Sequence, residues 1–125
     1  MRDNPGPMVT KIYTYAKFAI HDGKAEEFKS LARECSEIVN RDEPGTLFYE
    51  WFLNPGETEC VAIDCYADID AMLEHIKHIG PLMRRLMTLS DRYLEIYGAD
   101  PSPTLAGKST ARASEFYGQR FLGKL

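Results

Sequence analysis

The chain has 125 residues, 44% of them hydrophobic and 27% charged, and a formal net charge of −4. That size and balance fit one ordinary globular domain. No apolar run approaches the roughly 20 residues of a membrane span, and the lack of a basic stripe disfavours nucleic-acid binding, which needs clustered Lys and Arg. The N-terminal MRDNPGPM has neither an apolar core nor a cleavage pattern, so it does not read as a signal peptide, and a cytoplasmic protein is the default. KIYTYAKFAI (11–20), rich in aromatic and β-branched residues, reads as a strand turned by His21-Asp22-Gly23. In the next segment Phe28, Leu31, Cys35, Ile38 and Val39 share one helix face, with Glu26 and Glu27 near its start and Arg41 near its end to suit the dipole. Pro44-Gly45 breaks the chain. TLFYEWFLN (46–54) and TECVAIDCYA (58–67) form a hairpin about Asn54-Pro55-Gly56-Glu57. Asp68 caps a helix that the pattern ends at Gly80, with a second, shorter helix starting at Pro81. DRYLEIYGA (91–99) is the last strand.

The order β-α-β-β-α-β is the ferredoxin-like split motif, an α+β fold in which an antiparallel four-stranded sheet carries its helices on one face. Residues 1–100 form the domain and 101–125 a C-terminal extension. The extension carries Phe116, Tyr117 and Phe121 among Lys108, Arg112, Arg120 and Lys124. Disordered segments are poor in aromatics, so it is expected to be ordered, with its rings buried against its own or, by slight preference, the partner subunit. Cys60 and Cys65 lie an odd number apart on one strand, point to opposite faces and cannot bridge each other. No cysteine or histidine cluster has metal spacing, so no metal is expected and the thiols read as buried and reduced.

If the hairpin pairs Leu53 with Thr58 without a bulge, Phe48, Phe52, Val61, Ile63 and Cys65 share one face, suited to packing on helices. Tyr49, Trp51, Ala62, Asp64 and Tyr66 share the other, which reads as a dimer interface or a ligand wall.

Three features together resemble the antibiotic-biosynthesis-monooxygenase-like family of dimeric α+β barrel proteins. Pro44-Gly45-Thr46-Leu47-Phe48-Tyr49-Glu50 is similar to that family's PGxxxYE start of the second strand. Val61-Ala62-Ile63-Asp64-Cys65-Tyr66-Ala67-Asp68 is similar to its acid-x-aromatic-x-acid close of the third. His75 matches a helix histidine nine residues after that aromatic. The resemblance spans residues 11 to about 98. It implies a homodimer with sheets packed face to face and a small pocket between sheet and helices. Family members include monooxygenases that oxidise phenolic or quinol-like aromatics without metal or flavin, and haem-degrading oxygenases. Tyr66 stands where many members carry Trp. The first strand lacks the Asn of the haem-degrading members, which removes most support for that reading, although His75 alone could serve as an axial ligand.

His75 falls at the edge of the stripe formed by Ile69, Met72, Leu73 and Ile76, where it either points into a pocket or is a boundary residue satisfied by backbone or water. His78 falls nearly opposite and is expected to be solvated, with no role. Oxygenation without a cofactor needs a substrate that gives electrons to O₂, and a phenol does so best as its phenolate. His75 is therefore the candidate base. Tyr66, Tyr15 and Arg84, in falling order, are candidates to stabilise the oxyanion. Tyr49 and Trp51 could stack on a planar ring or serve a dimer interface; Asp64 lines the same face and could instead pair across the interface. Arg84 also reads as part of a solvated helix face. The reading that follows is a cofactor-independent monooxygenase. A binding protein without catalysis and a purely structural dimer are the alternatives. A cavity of roughly a few hundred Å³ beside His75 would favour the first two.

Overall fold

Along the first strand every second residue is buried: Ile12, Thr14, Ala16 and Phe18. This alternation is that of a strand with one face in a core. The computed structural model describes residues 10–101 and 114–123. The elements are β1 (Ile12–Ile20), α1 (Ala25–Asp42), β2 (Thr46–Leu53), β3 (Glu59–Tyr66), α2 (Ile69–Leu86), β4 (Ser90–Gly98) and β5 (Glu115–Tyr117). The strand order is β2-β3-β1-β4-β5. β1 to β4 are antiparallel, as the split motif requires, while β5 joins β4 in parallel. The sheet is therefore five-stranded and mixed rather than four-stranded and antiparallel, because the C-terminal segment supplies an edge strand too short to carry its own sequence pattern.

Phe28, Leu31, Cys35 and Val39 of α1 pack with Met72, Ile79, Met83 and Leu86 of α2 over the inward residues of β1, β3 and β4. Each fully buried large side chain in that cluster contributes about 2 kcal/mol. α2 starts where expected, with the Asp68 carboxylate accepting from the Ala71 amide at 2.8 Å. It does not end at Gly80. It runs unbroken through Pro81, because the buried positions 72, 75, 79, 83 and 86 stay in phase across the proline, which sits on the exposed side. Among the described residues no helix is long and apolar enough to cross a membrane.

The two sheet faces are reversed from expectation. Tyr49, Trp51, Ala62, Asp64 and Tyr66 do share a face, but it is the one under the helices, and Tyr66 is 2% exposed. Phe48, Phe52 and Ile63 lie on the open face, with Phe52 52% exposed. Leu53 pairs with Cys60 rather than Thr58, and the register slips between Thr46 and Phe48. A two-residue shift preserves which side chains share a face, so the sets survived while their orientation did not. The aromatics of the extension are not buried against the body of their own chain. Tyr117 stacks on Tyr97 with ring centroids 5.0 Å apart, yet Phe116, Tyr117 and Phe121 remain exposed. β5 pairs with β4 of its own chain. Lys108, Arg112 and Lys124 lie outside the described residues.

Candidate active site

The segment between α1 and β2 turns sharply at Pro44-Gly45 and brings Glu43 under α2. Glu43 is 5% exposed. Its Oε1 lies 2.8 Å from His75 Nδ1 and its Oε2 2.9 Å from His78 Nδ1, while the Thr46 hydroxyl donates to Oε1 at 2.8 Å. Burial pushes the Glu43 carboxyl up, but the bonds from His75, Thr46 and His78 and the attraction of His75 outweigh it and hold it below the usual carboxylate range. One ionised carboxylate thus receives both Nδ1–H groups. For His75 this leaves Nε2 as the nitrogen that can act on a molecule beside it. His78 is half-buried and bound to Glu43, so the expectation that it is solvated is corrected. One helical turn separates the two rings closely enough for one carboxylate to bridge both.

A cavity of about 50 Å³ lies between the inner sheet face and α2. Its walls include His75, Tyr66, Asp64, Tyr49, Trp51 and Arg92. Side chains alternate between the faces of β3, so Asp64, two residues before Tyr66, points the same way. The Tyr66 hydroxyl donates to Asp64 Oδ2 at 2.7 Å. The other oxygen, Oδ1, is buried without a partner among the described residues, and so is Trp51 Nε1. Burial drives the Asp64 carboxyl up, only partly offset by the attraction of His75 and by the hydrogen bond from Tyr66. Burial and then the charge of Asp64 push the Tyr66 and Tyr49 hydroxyls well up, so both remain donors. Rings run without a break through this region. Centroid separations are 5.3 Å for Phe28–Phe18, 5.9 Å for Phe18–Trp51, 5.5 Å for Trp51–Tyr49, 5.1 Å for Tyr49–His75 and 5.1 Å for His75–Tyr66. Tyr49 and Trp51 also wall a larger groove of about 370 Å³, between α1 and the edge strand β2.

Of the seven candidate residues, five therefore converge on the cavity. Tyr15 does not, because its neighbours Thr14 and Ala16 occupy the inward positions of β1. Arg84 lies on the exposed side of α2. Two site residues went unread. Glu43 reaches His75 across 32 positions, a contact with no local signature. Arg92 did carry a signal, being in phase with the inward Leu94 and Ile96. The cavity is also smaller than the few hundred Å³ set as a criterion, because Tyr49 and Trp51 close it off from the groove. Among the described residues no group of three or more His, Cys, Asp or Glu side chains is arranged to hold a metal ion.

The family model for antibiotic biosynthesis monooxygenase matches residues 11–82, more than half of the chain. The chain belongs to that family. The matched region holds every residue of the cavity just described except Met83, Arg92 and Leu94. Among solved structures, MupZ from Pseudomonas fluorescens is similar at 22% identity and a TM-score of 0.77, over 96% of this chain and 93% of that one. A conserved protein from Methanosarcina mazei is similar at 20% identity and a TM-score of 0.64, over 71% and 92%. SnoaB, a cofactor-independent oxygenase from Streptomyces nogalater, solved in a mutant form, is similar at 22% identity and a TM-score of 0.62, over 72% and 93%. No curated protein matches the chain. At these identities the structures establish the shared ferredoxin-like α+β fold of this antibiotic biosynthesis monooxygenase family member.

Proposed function

We propose that the protein is a cofactor-independent monooxygenase acting on a small phenolic or quinol-like aromatic. The observation that carries this reading is the Glu43–His75 pair on the wall of an aromatic-lined cavity that also holds the Asp64–Tyr66 pair. The His75 imidazole, with Nδ1–H held by Glu43, takes the phenolic proton at Nε2. The phenolate supplies electrons to O₂ and a peroxide forms on the ring carbon. Tyr66 turns its single hydroxyl proton from Asp64 to the peroxide oxygen, and a protonated Asp64 carboxyl donates to the Tyr66 oxygen in return. Loss of the ring C–H proton as the O–O bond breaks leaves a quinone carbonyl and one water. One oxygen atom enters the product and the other leaves as water, and the substrate provides the electrons. The cavity admits the reacting edge of a ring. The remainder requires Trp51, whose Nε1 has no hydrogen-bond partner among the described residues, to move toward the groove that it also walls.

The test is oxygen uptake with a panel of quinols and naphthols, with product mass shifted by one ¹⁸O. His75→Gln should reduce turnover by roughly 10²- to 10⁴-fold. No uptake with any member of the panel, in protein whose fold is intact, would leave the alternative of a binding protein without catalysis. A fluorescence response of Trp51 to the same compounds would then support that alternative.

We also propose a homodimer formed through the open sheet face, where Tyr13, Phe48, Phe52, Ile63 and Tyr93 are exposed together. The face expected to form it, bearing Tyr49, Trp51 and Tyr66, is occupied by the helices.

A further inference from the structure

Arg92 is a guanidinium without a counter-charge among the described residues. It sits on β4 opposite Phe18 of β1, on the inner face of the sheet, and lines the same cavity as His75 and Asp64. The residue is half-buried, yet its side chain has no hydrogen bond or ion pair among the described residues. Burial alone acts on it, pulling its proton affinity down. Buried cations in folded proteins are normally paired, because a desolvated charge left alone opposes folding. The open sheet face is on the other side, so a second subunit docked there would not meet this side chain. Asp64 lines the same cavity but forms no ion pair with it, and its Oδ1 has no partner among the described residues. Burial also favours the neutral carboxyl at Asp64.

We infer that Arg92 is the anchor for a carboxylate on the ligand, so that the molecule taken by this cavity is an acidic phenol rather than a neutral one. Arg suits the role: its planar fork can bind both oxygens of a carboxylate. The phenolic edge then lies toward His75 and the acidic edge toward Arg92. The inference extends the monooxygenase reading by naming the charge of its substrate, but it is tested by binding and does not require turnover.

Trp51 is the single tryptophan of the chain and walls the cavity, so its fluorescence reports occupancy directly. The probes are 4-hydroxybenzoate and 4-hydroxybenzamide, which differ in charge but little in shape. The wild-type protein should bind the acid at least about tenfold more tightly than the amide. Arg92→Gln should erase that preference by weakening the acid alone, and Arg92→Lys should restore part of it. Arg92→Gln should also raise the urea midpoint of the ligand-free protein, since it removes an uncompensated charge. Equal affinity for acid and amide in the wild type would overturn the inference, as would an acid preference that survives Arg92→Gln. A lowered urea midpoint in Arg92→Gln would overturn it too, by giving the side chain a structural role. Acid selectivity without oxygen uptake would leave this site standing and remove the oxygenase. Uptake with neutral quinols and no acid selectivity would do the reverse.

Discussion

Glu43 and Asp64 are two buried carboxyls beside the same histidine, and their proton affinities are pushed in opposite directions. Glu43 has three donors, which lower its proton affinity; Asp64 has one oxygen without any among the described residues, and burial raises its proton affinity. Their contributions to stability therefore run oppositely with pH. The folded-state pKa of Glu43 lies below its ordinary value of 4.5, so its contribution is present above that value and is lost as pH falls through the folded one. The folded-state pKa of Asp64 lies above its ordinary 3.8, so its contribution is present below 3.8 and is lost as pH rises through the folded one. Urea midpoints across pH should show this in paired variants. The advantage of wild type over Glu43→Gln should grow from acid to neutral pH, reaching about 3 kcal/mol, because the amide lacks the charge and offers one acceptor oxygen where the carboxylate offers two. The difference between wild type and Asp64→Asn should move against wild type over the same rise. Parallel curves for the two variants would contradict the assignment. His78→Ala, which a reading of helix faces alone expects to be silent, should instead lower stability, because one oxygen of a buried carboxylate loses its donor.

At the scale of elements, α2 continues through a proline that the sequence pattern reads as a boundary. Tertiary packing prevails over local preference here, since Met83 and Leu86 are buried beyond it. Pro81 is exposed and contributes no packing, so Pro81→Ala should stabilise the protein by about 1–3 kcal/mol, measured as a higher urea midpoint with unchanged slope. The turn that sets Glu43 in place depends on a close approach. A Cβ added at Gly45 would stand 2.7 Å from Ala71 Cβ at the start of α2, and the Gly45 carbonyl accepts from the Ala67 amide at 2.9 Å. Gly45→Ala should cost about 2 kcal/mol and loosen the carboxylate–histidine contact with it. Element types were legible because periods of two and 3.6 are strong in β1, α1 and β3. β5 was not, because three residues carry too little pattern to read.

At the scale of the whole molecule, both sheet faces are apolar, and that is why alternation could assign partners but not sides. Phe48, Phe52, Val61 and Ile63 are as apolar as the set with Tyr49 and Trp51. What distinguishes the inner set is its polar handles, Asp64 and the hydroxyls of Tyr49 and Tyr66, which belong to a cavity rather than to a flat contact. The same logic applied to β4 would have exposed Arg92. If the open face is a subunit interface, Phe52→Glu combined with Ile63→Glu should yield a monomer by sedimentation at micromolar concentration. The far-ultraviolet spectrum should be unchanged, because neither residue supports the inner core.

The carboxylate comes from the end of α1 and the histidines from α2, so the two helices are clasped directly above the cavity. Parting them would strip His75 of its orienting partner. A ligand of the proposed kind would therefore have to enter without the helices separating, and the element free to give way is β2, which has a neighbouring strand on one side only. Breathing of the fold should thus be lopsided. In native-state hydrogen exchange, the amides of β2 should exchange well before those of α2, and a bound ligand should slow them more than any other strand. A scaffold built this way keeps its base rigid while its rim opens.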